Sequence, residues 1–151
     1  MSESLPLDLS DAVMPGLGRR LAAIFYDSLL LIAVLVVATA LVVLPLGLGL
    51  GISVNPANPL YRLYLLSVIV GFFLFFWVRG GQTLGMRVWR IKVIRDDGRP
   101  LTLKDATVRF GAAVLSWLPL GLGFFWCWFD PQRLTWHDRL SGTRLVITVK
   151  Q

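Results

Sequence analysis

Apolar residues in this chain gather into three long blocks, divided by segments rich in turn formers or charge. The first block, Leu21 to Leu44, holds a single charge, Asp27. At ~1.5 Å per residue, a helix of that length crosses a ~30 Å hydrocarbon core with some tilt. The pattern predicts a membrane span over 20–44. Pro45 and Gly47 end it, and the uncharged stretch 45–59, full of Gly, Pro and Asn, reads as a loop. The second block, Leu60 to Val78, predicts a span over 60–78. Arg62 at its start has room to snorkel, and Tyr61, Tyr64 and Trp77 lie near its ends, where an aromatic belt places them. The third block, Phe110 to Phe129, is interrupted by Pro119, Gly121 and Gly123. Proline removes a backbone donor and kinks a helix, which lipid tolerates only where protein or water repairs the backbone. The block is therefore a kinked span or two short helices folded as a hairpin.

The polar segments favour the hairpin, or a re-entrant form of it. Arg19 and Arg20 precede the first span, whereas the loop 45–59 has no Lys or Arg. Arg79, Arg87, Arg90, Lys92, Arg95, Arg99, Lys104 and Arg109 crowd 79–109, and Arg133, Arg139, Arg144 and Lys150 follow 130. Basic segments stay on the cytoplasmic side, so both termini and 79–109 are expected there. Val88 to Arg95 roughly alternates and is β-branched, Asp97-Gly98 is a tight-turn signal, and Thr143 to Lys150 is a second strand candidate. The expectation is one small sheet built from 88–94 and 145–149. Thr102 with Asp105 three residues on resembles a capping box, with Asp in place of the usual Glu or Gln.

The fold class that results is an all-α transmembrane helical protein, with two long spans, a broken third hydrophobic segment and a small cytoplasmic β element. Residues 1–15 form an N-terminal cytoplasmic tail, and 16–149 one membrane domain. That domain divides into the spans 20–44 and 60–78, the basic segment 79–109, the broken segment 110–129 and a C-terminal segment 130–149. Composition agrees: 56% of the 151 residues are hydrophobic and only 16% charged, against about 25% charged in ordinary globular chains. The net charge of +6 could mean nucleic acid, but the basic residues lie between apolar blocks, so membrane topology explains them. The single cysteine, Cys127, permits no internal disulfide and no cysteine-based metal site, and is read as a small core or lipid-facing residue. The first eleven residues carry acids and no Lys or Arg, unlike a secretory signal.

Asp27 is the most informative residue. It lies two helical turns beyond Arg20, on the same face and about 10 Å deeper. A carboxylate at such depth pairs, stays protonated or touches water, and such residues often mark ion or substrate pathways. The expectation is a buried Asp27 paired with Arg20 or Arg109, directly or through water, and an Asp138 close to the same basic side chains. His137 beside Asp138 has no nucleophile or ligand set around it, so it is read as an interfacial residue and no enzymatic chemistry is expected. Gly80-Gly-Gln-Thr-Leu-Gly85-Met-Arg87 lacks the Gly-Lys-Ser/Thr of a phosphate loop and is read as a tight connection from helix to strand. The candidate constellation is Arg20, Asp27 and Asp138, supported by Arg109, His137 and Gln82, with no cofactor or metal.

Three stretches, Gly18-Arg-Arg-Leu-Ala-Ala-Ile-Phe-Tyr-Asp27, Gly81-Gln-Thr-Leu-Gly85 and His137-Asp138-Arg-Leu-Ser-Gly-Thr143, resemble in order the signature regions of the RDD family of small bacterial integral membrane proteins. The family takes its name from one arginine and two aspartates, here matched by Arg20, Asp27 and Asp138. Met86 departs from the pattern, since many members carry Lys there. The resemblance implies a multi-pass protein of the bacterial inner membrane, N-terminus cytoplasmic, and a part in transport, with sodium–proton exchange in some members. Three apolar blocks hardly enclose a pathway, so a cation or small-solute transporter would work as a homo-oligomer or with a membrane partner. The alternative is a non-transporting assembly protein whose basic segment docks another protein or anionic lipid. Its partners would be the bilayer and protein, not nucleic acid.

Overall fold

A computed structural model of the chain describes residues 13–119 and 121–148. Most of the expected N-terminal tail, and Val149 and Lys150 of the expected second strand, lie outside the described residues. The chain is mostly helical. Six α-helices run α1 (Leu17–Leu44), α2 (Pro59–Gly80), α3 (Leu84–Val88), α4 (Leu103–Trp117), α5 (Leu122–Phe125) and α6 (Trp136–Ser141), with strands β1 (Ile91–Arg95) and β2 (Thr143–Ile147). Two helical stretches are long and apolar enough to cross a membrane, Leu17–Gly49 with mean hydropathy 3.1 and Pro59–Gly80 with 2.0. Only 6% of the most apolar window of each is buried. Apolar surface left uncovered on this scale belongs in lipid.

The chain forms two compact units, one of residues 28–72 and one of residues 1–27 with 73–151. The boundaries fall inside α1 and α2. In the smaller unit, the two helices are tied by polar groups within apolar sequence: Thr39 Oγ1 and Tyr61 Oη lie 2.9 Å apart, and the Tyr64 hydroxyl donates to the Ala38 carbonyl at 3.1 Å. The loop expected from Pro45 begins later. The helix continues through one wide π-type turn, Pro45–Gly49. Proline lacks an amide and its ring crowds the carbonyl four residues back, and a wider turn relieves that crowding. Asn58 then caps α2, its side chain accepting from Leu60 N at 2.9 Å, with Pro59 at the first helical position.

The larger unit carries the core. Ala23, Trp77, Met86, Ile91, Val93, Leu101, Ala106 and Leu145 cluster there, with Phe73, Trp89 and Phe110 packed against them. β1 and β2 pair antiparallel, Ile91 opposite Ile147 and Arg95 opposite Thr143. The strands are offset from the expected 88–94 and 145–149. Val88 ends α3 instead, because Thr83 caps that short helix by accepting from Met86 N. The Asp97-Gly98 turn forms, with Gly98 N donating to Arg95 O at 2.9 Å, but it leads to α4 rather than to a pairing strand. Thr102 and Asp105 form the complete capping box. It starts α4 at Leu103, the first helix of the third block, where that cap is expected to start it.

The third hydrophobic block breaks after Trp117. Gly121 takes a left-handed φ of 80°, which a side chain would resist. The two arms, Leu103–Trp117 and Leu122–Trp128, meet at 107°. The bend makes this block a broken span or a re-entrant loop, in keeping with the broken third segment expected. Pro119 can supply no amide to continue the helix, and Cys127 packs buried on the second arm.

Candidate functional site

Among the described residues, three carboxylates in the larger unit are withdrawn from solvent: Asp130 pairs with the exposed Arg139, and Asp138 and Asp27 are neutralised differently. Asp138 sits third in α6, where Thr135 and Asp138 make a reciprocal capping box. One oxygen, Oδ2, accepts from Thr135 N at 3.0 Å and from the Arg20 guanidinium at 2.8 Å. The other, Oδ1, accepts from Arg109 at 2.7 Å. All three side chains are deeply buried, with Asp138 fully so and both arginines 3% exposed. Each arginine has further acceptors. Arg20 also donates to the Pro15 carbonyl at 3.2 Å and the Arg133 carbonyl at 2.8 Å. Arg109 donates to Thr143 Oγ1 at 2.6 Å and lies 5.5 Å over the Trp77 ring. Burial alone would raise the Asp138 carboxyl, but the Arg109 and Arg20 charges and the Arg20 hydrogen bond outweigh it and hold the group well below the usual carboxylate range.

His137 is buried, not interfacial. Its ring packs 4.7 Å from Phe124, and Nε2 lies 2.9 Å from Thr135 Oγ1. Burial first, then the Arg109 charge, push its pKa down to about 3, so it is neutral at any ordinary pH. Gln82 stands apart from this group: its amide donates to the Ile91 carbonyl at 2.7 Å and steadies β1.

Of the pairing expected for Asp27, the direct form with Arg20 or Arg109 is not made. Among the described residues Asp27 makes no ion pair, and neither Arg20 nor Arg109 reaches it. Its Oδ2 accepts from the Thr83 hydroxyl and its Oδ1 from Gly85 N at 2.8 Å. Gly85 is required by space. A Cβ there would lie 2.5 Å from the Ala23 carbonyl and 2.9 Å from the Asp27 carboxyl, distances at which backbone must move. The glycine motif after α2 is thus the cradle of Asp27. Thr83 and Gly85 were visible in it, but charge counting directs attention to arginines and passes over a hydroxyl and an amide.

Arg20, Asp27, Thr83, Arg109 and His137 all line one partly open cavity of about 80 Å³, whose other lining is apolar and includes Phe73, Met86 and Phe124. Asp138 backs the two arginines. Among the described residues, no group of three or more His, Cys, Asp or Glu is placed to hold a metal ion.

A sequence model of the RDD family matches residues 14–142. The chain belongs to the RDD family. No curated protein and no solved structure gives a match. In this RDD protein the three signature regions converge: the first supplies Arg20 and Asp27, the second Thr83 and Gly85, the third His137 and Asp138. Met86, at the position where the resemblance leads one to expect Lys, is buried in the core cluster. A lysine there would bring a third cation beside two arginines already sharing one carboxylate.

Proposed function

We propose that this RDD protein is a multi-pass protein of a bacterial inner membrane that takes part in moving a cation or small polar solute, with Asp27 as the exchanging group. The observation that carries the reading is the Asp27 cradle. A carboxylate in an apolar helix is held by a hydroxyl and an amide, has no arginine or lysine to neutralise it, and borders a cavity. Such a group can exchange a proton or a cation without breaking an ion pair, whereas Asp138 cannot. The basic residues of 79–109 and the uncharged loop 45–59 support a cytoplasmic N-terminus and a cytoplasmic sheet. Two long helices enclose little of a pathway, so the proposal includes an oligomer. It involves no enzymatic chemistry.

The test is flux of sodium, potassium and protons in liposomes containing the purified chain, with its mass in detergent measured alongside. Asp27→Asn is expected to fold and to abolish flux. Full flux in Asp27→Asn would overturn the reading. A second reading has its own support: Arg87, Arg90, Arg99 and Lys104 are exposed beside exposed Leu84, Val88 and Leu103, a surface suited to anionic headgroups or an acidic protein partner. Salt-sensitive binding of the chain to anionic vesicles, with no flux of any ion, would favour it.

A further inference from the structure

The two groups that hold Asp27 differ in what they are able to do. Gly85 N–H is a backbone amide and only donates, to Oδ1 at 2.8 Å. The Thr83 hydroxyl, which donates to Oδ2, has one hydrogen and two lone pairs, so it also accepts. One lone pair already takes Met86 N–H at 3.3 Å, as the cap of α3, and the other is left over. An ionised Asp27 therefore has a donor on each oxygen. A protonated Asp27 has an acceptor available on one side only, the side of Thr83.

The backbone on either side of Thr83 is held without help from its hydroxyl. Val93 N donates to the Gly81 carbonyl at 2.7 Å, and the Gln82 side chain donates to the Ile91 carbonyl at 2.7 Å, which fastens the start of the connection 81–85 to β1. At its other end Gly85 lies so close to α1 that a Cβ would meet the Ala23 carbonyl at 2.5 Å. The hydroxyl can turn about its own C–O bond while these anchors stay in place. Thr83 is buried, so bulk water does not compete for that hydroxyl. The charged and titratable groups lining the same cavity are Arg20 of α1, Arg109 of α4 and His137 of α6. Asp138 engages both arginines, and His137 is neutral, which leaves Thr83 and Gly85 as the groups that meet a change of charge on Asp27.

We propose that Thr83 is the positioning residue for exchange at Asp27: a proton is taken on Oδ2, and the Thr83 hydroxyl turns from donor to acceptor to receive it. Solvent supplies the proton through the partly open cavity that Asp27 and Thr83 line. The new O–H bond forms on Oδ2, the carboxylate charge is cancelled, the Thr83 hydrogen stays on its own oxygen, and no other covalent bond changes. Oδ1 remains the carbonyl oxygen and keeps its bond from Gly85 N. Both states of the carboxyl are then hydrogen-bonded on both oxygens. The inference rests on the proposed exchange at Asp27 and names the proton as what is exchanged there.

Infrared difference spectroscopy of the full chain in detergent tests it, with the pH lowered from neutral to the lowest value at which the chain stays folded. The carbonyl stretch of a protonated carboxyl falls in frequency with each hydrogen bond the group makes, and the band that Asp27→Asn removes is that of Asp27. In the unaltered chain this band is expected close to that of acetic acid in water, where both oxygens are hydrogen-bonded. Thr83→Val, which keeps the shape and loses the hydroxyl, is expected to move it to higher frequency, and Thr83→Ser to leave it in place. An unmoved band in folded Thr83→Val, or no Asp27 band at any pH in that range, would overturn the proposal. Should Thr83→Val not fold, the unaltered chain decides: a band well above that of acetic acid in water means that the proton has no acceptor, and the proposal fails. Flux judges the transport reading separately. Full flux in Asp27→Asn, with the band moved in Thr83→Val, would overturn that reading and still place the proton on Oδ2.

Discussion

Asp138 and Asp27 pose the same problem, a carboxylate removed from water, and the protein treats them in opposite ways. Asp138 is met by two arginines and a backbone amide, and its charge is neutralised by groups that are themselves anchored to carbonyls and hydroxyls. Among the described residues, Asp27 is met by a hydroxyl and an amide. The difference concerns what can change. A charge held by two buried counter-charges is fixed, because displacing it strands both partners. A charge held by neutral dipoles can be exchanged for a neutral or cation-bound form while its partners stay satisfied. One carboxylate fastens α1, α4 and α6 together, and the other is held to the α2–α3 connection by neutral donors.

The sharpest way to break this comparison is to remove the fastening. Asp138→Ala strands Arg20 and Arg109, and loss of one side of a buried pair costs about 3–5 kcal/mol. Thermal unfolding in detergent is expected to show a chain that is unfolded or nearly so, and a melting curve close to the parent would mean that the arginines do not depend on Asp138. Acid sharpens the same point. Folded His137, with its pKa pushed from 6.5 to about 3, takes no proton across a range in which the unfolded side chain does. The unfolded state then binds more protons, so stability is lost as pH falls through that window, by at most about 1.4 kcal/mol per pH unit. The depressed Asp138 carboxyl contributes stability that is lost in the same direction at still lower pH. His137→Gln should flatten the loss between pH 6.5 and about 3, the window between the unfolded and folded values, and an unchanged slope would assign it to other groups.

Smaller effects belong to the cradle. Gly85→Ala forces a Cβ against the Ala23 carbonyl and should cost about 1–3 kcal/mol, while Gly111→Ala, with open space around it, should cost nothing. Equal melting temperatures for the two variants would show that α1 does not need the close approach. The smallest effect on stability is expected from Asp27→Asn, within about 1 kcal/mol, because the amide oxygen still accepts from Gly85 N and the amide NH2 can donate to the Thr83 hydroxyl, which turns to accept. A loss as large as that of Asp138→Ala would erase the contrast between the two carboxylates.

What the residue pattern reveals and what it conceals follow the same division. The two long helices, the break at Pro119 and the Thr102–Asp105 cap are local, and hydropathy, a missing amide and a three-residue spacing express them directly. The proximity of Asp138 to basic side chains could also be argued, since a buried carboxylate needs cations and few candidates existed. The partners of Asp27 could not. The seven-residue spacing from Arg20 puts both on one helix face, and they do border the same cavity. Yet Arg20 is spent on Asp138, Pro15 and Arg133, a competition decided by residues far along the chain. The strand boundaries shifted for a related reason: Thr83 starts a short helix whose end consumes Val88, and alternation alone cannot see a cap.

The separation between Arg20 and Asp138, 118 positions along the chain, also sets an order of assembly on the ribosome. At about 5–20 residues per second, Asp138 is made roughly 6 to 24 seconds after Arg20. β2, which closes the only sheet pairing among the described residues, emerges after it. During that interval the guanidinium of Arg20 lacks the carboxylate that holds it in the folded protein. The start of α1 can settle into its final place only when the last helix arrives, so this protein completes its interior from the carboxyl-terminal side.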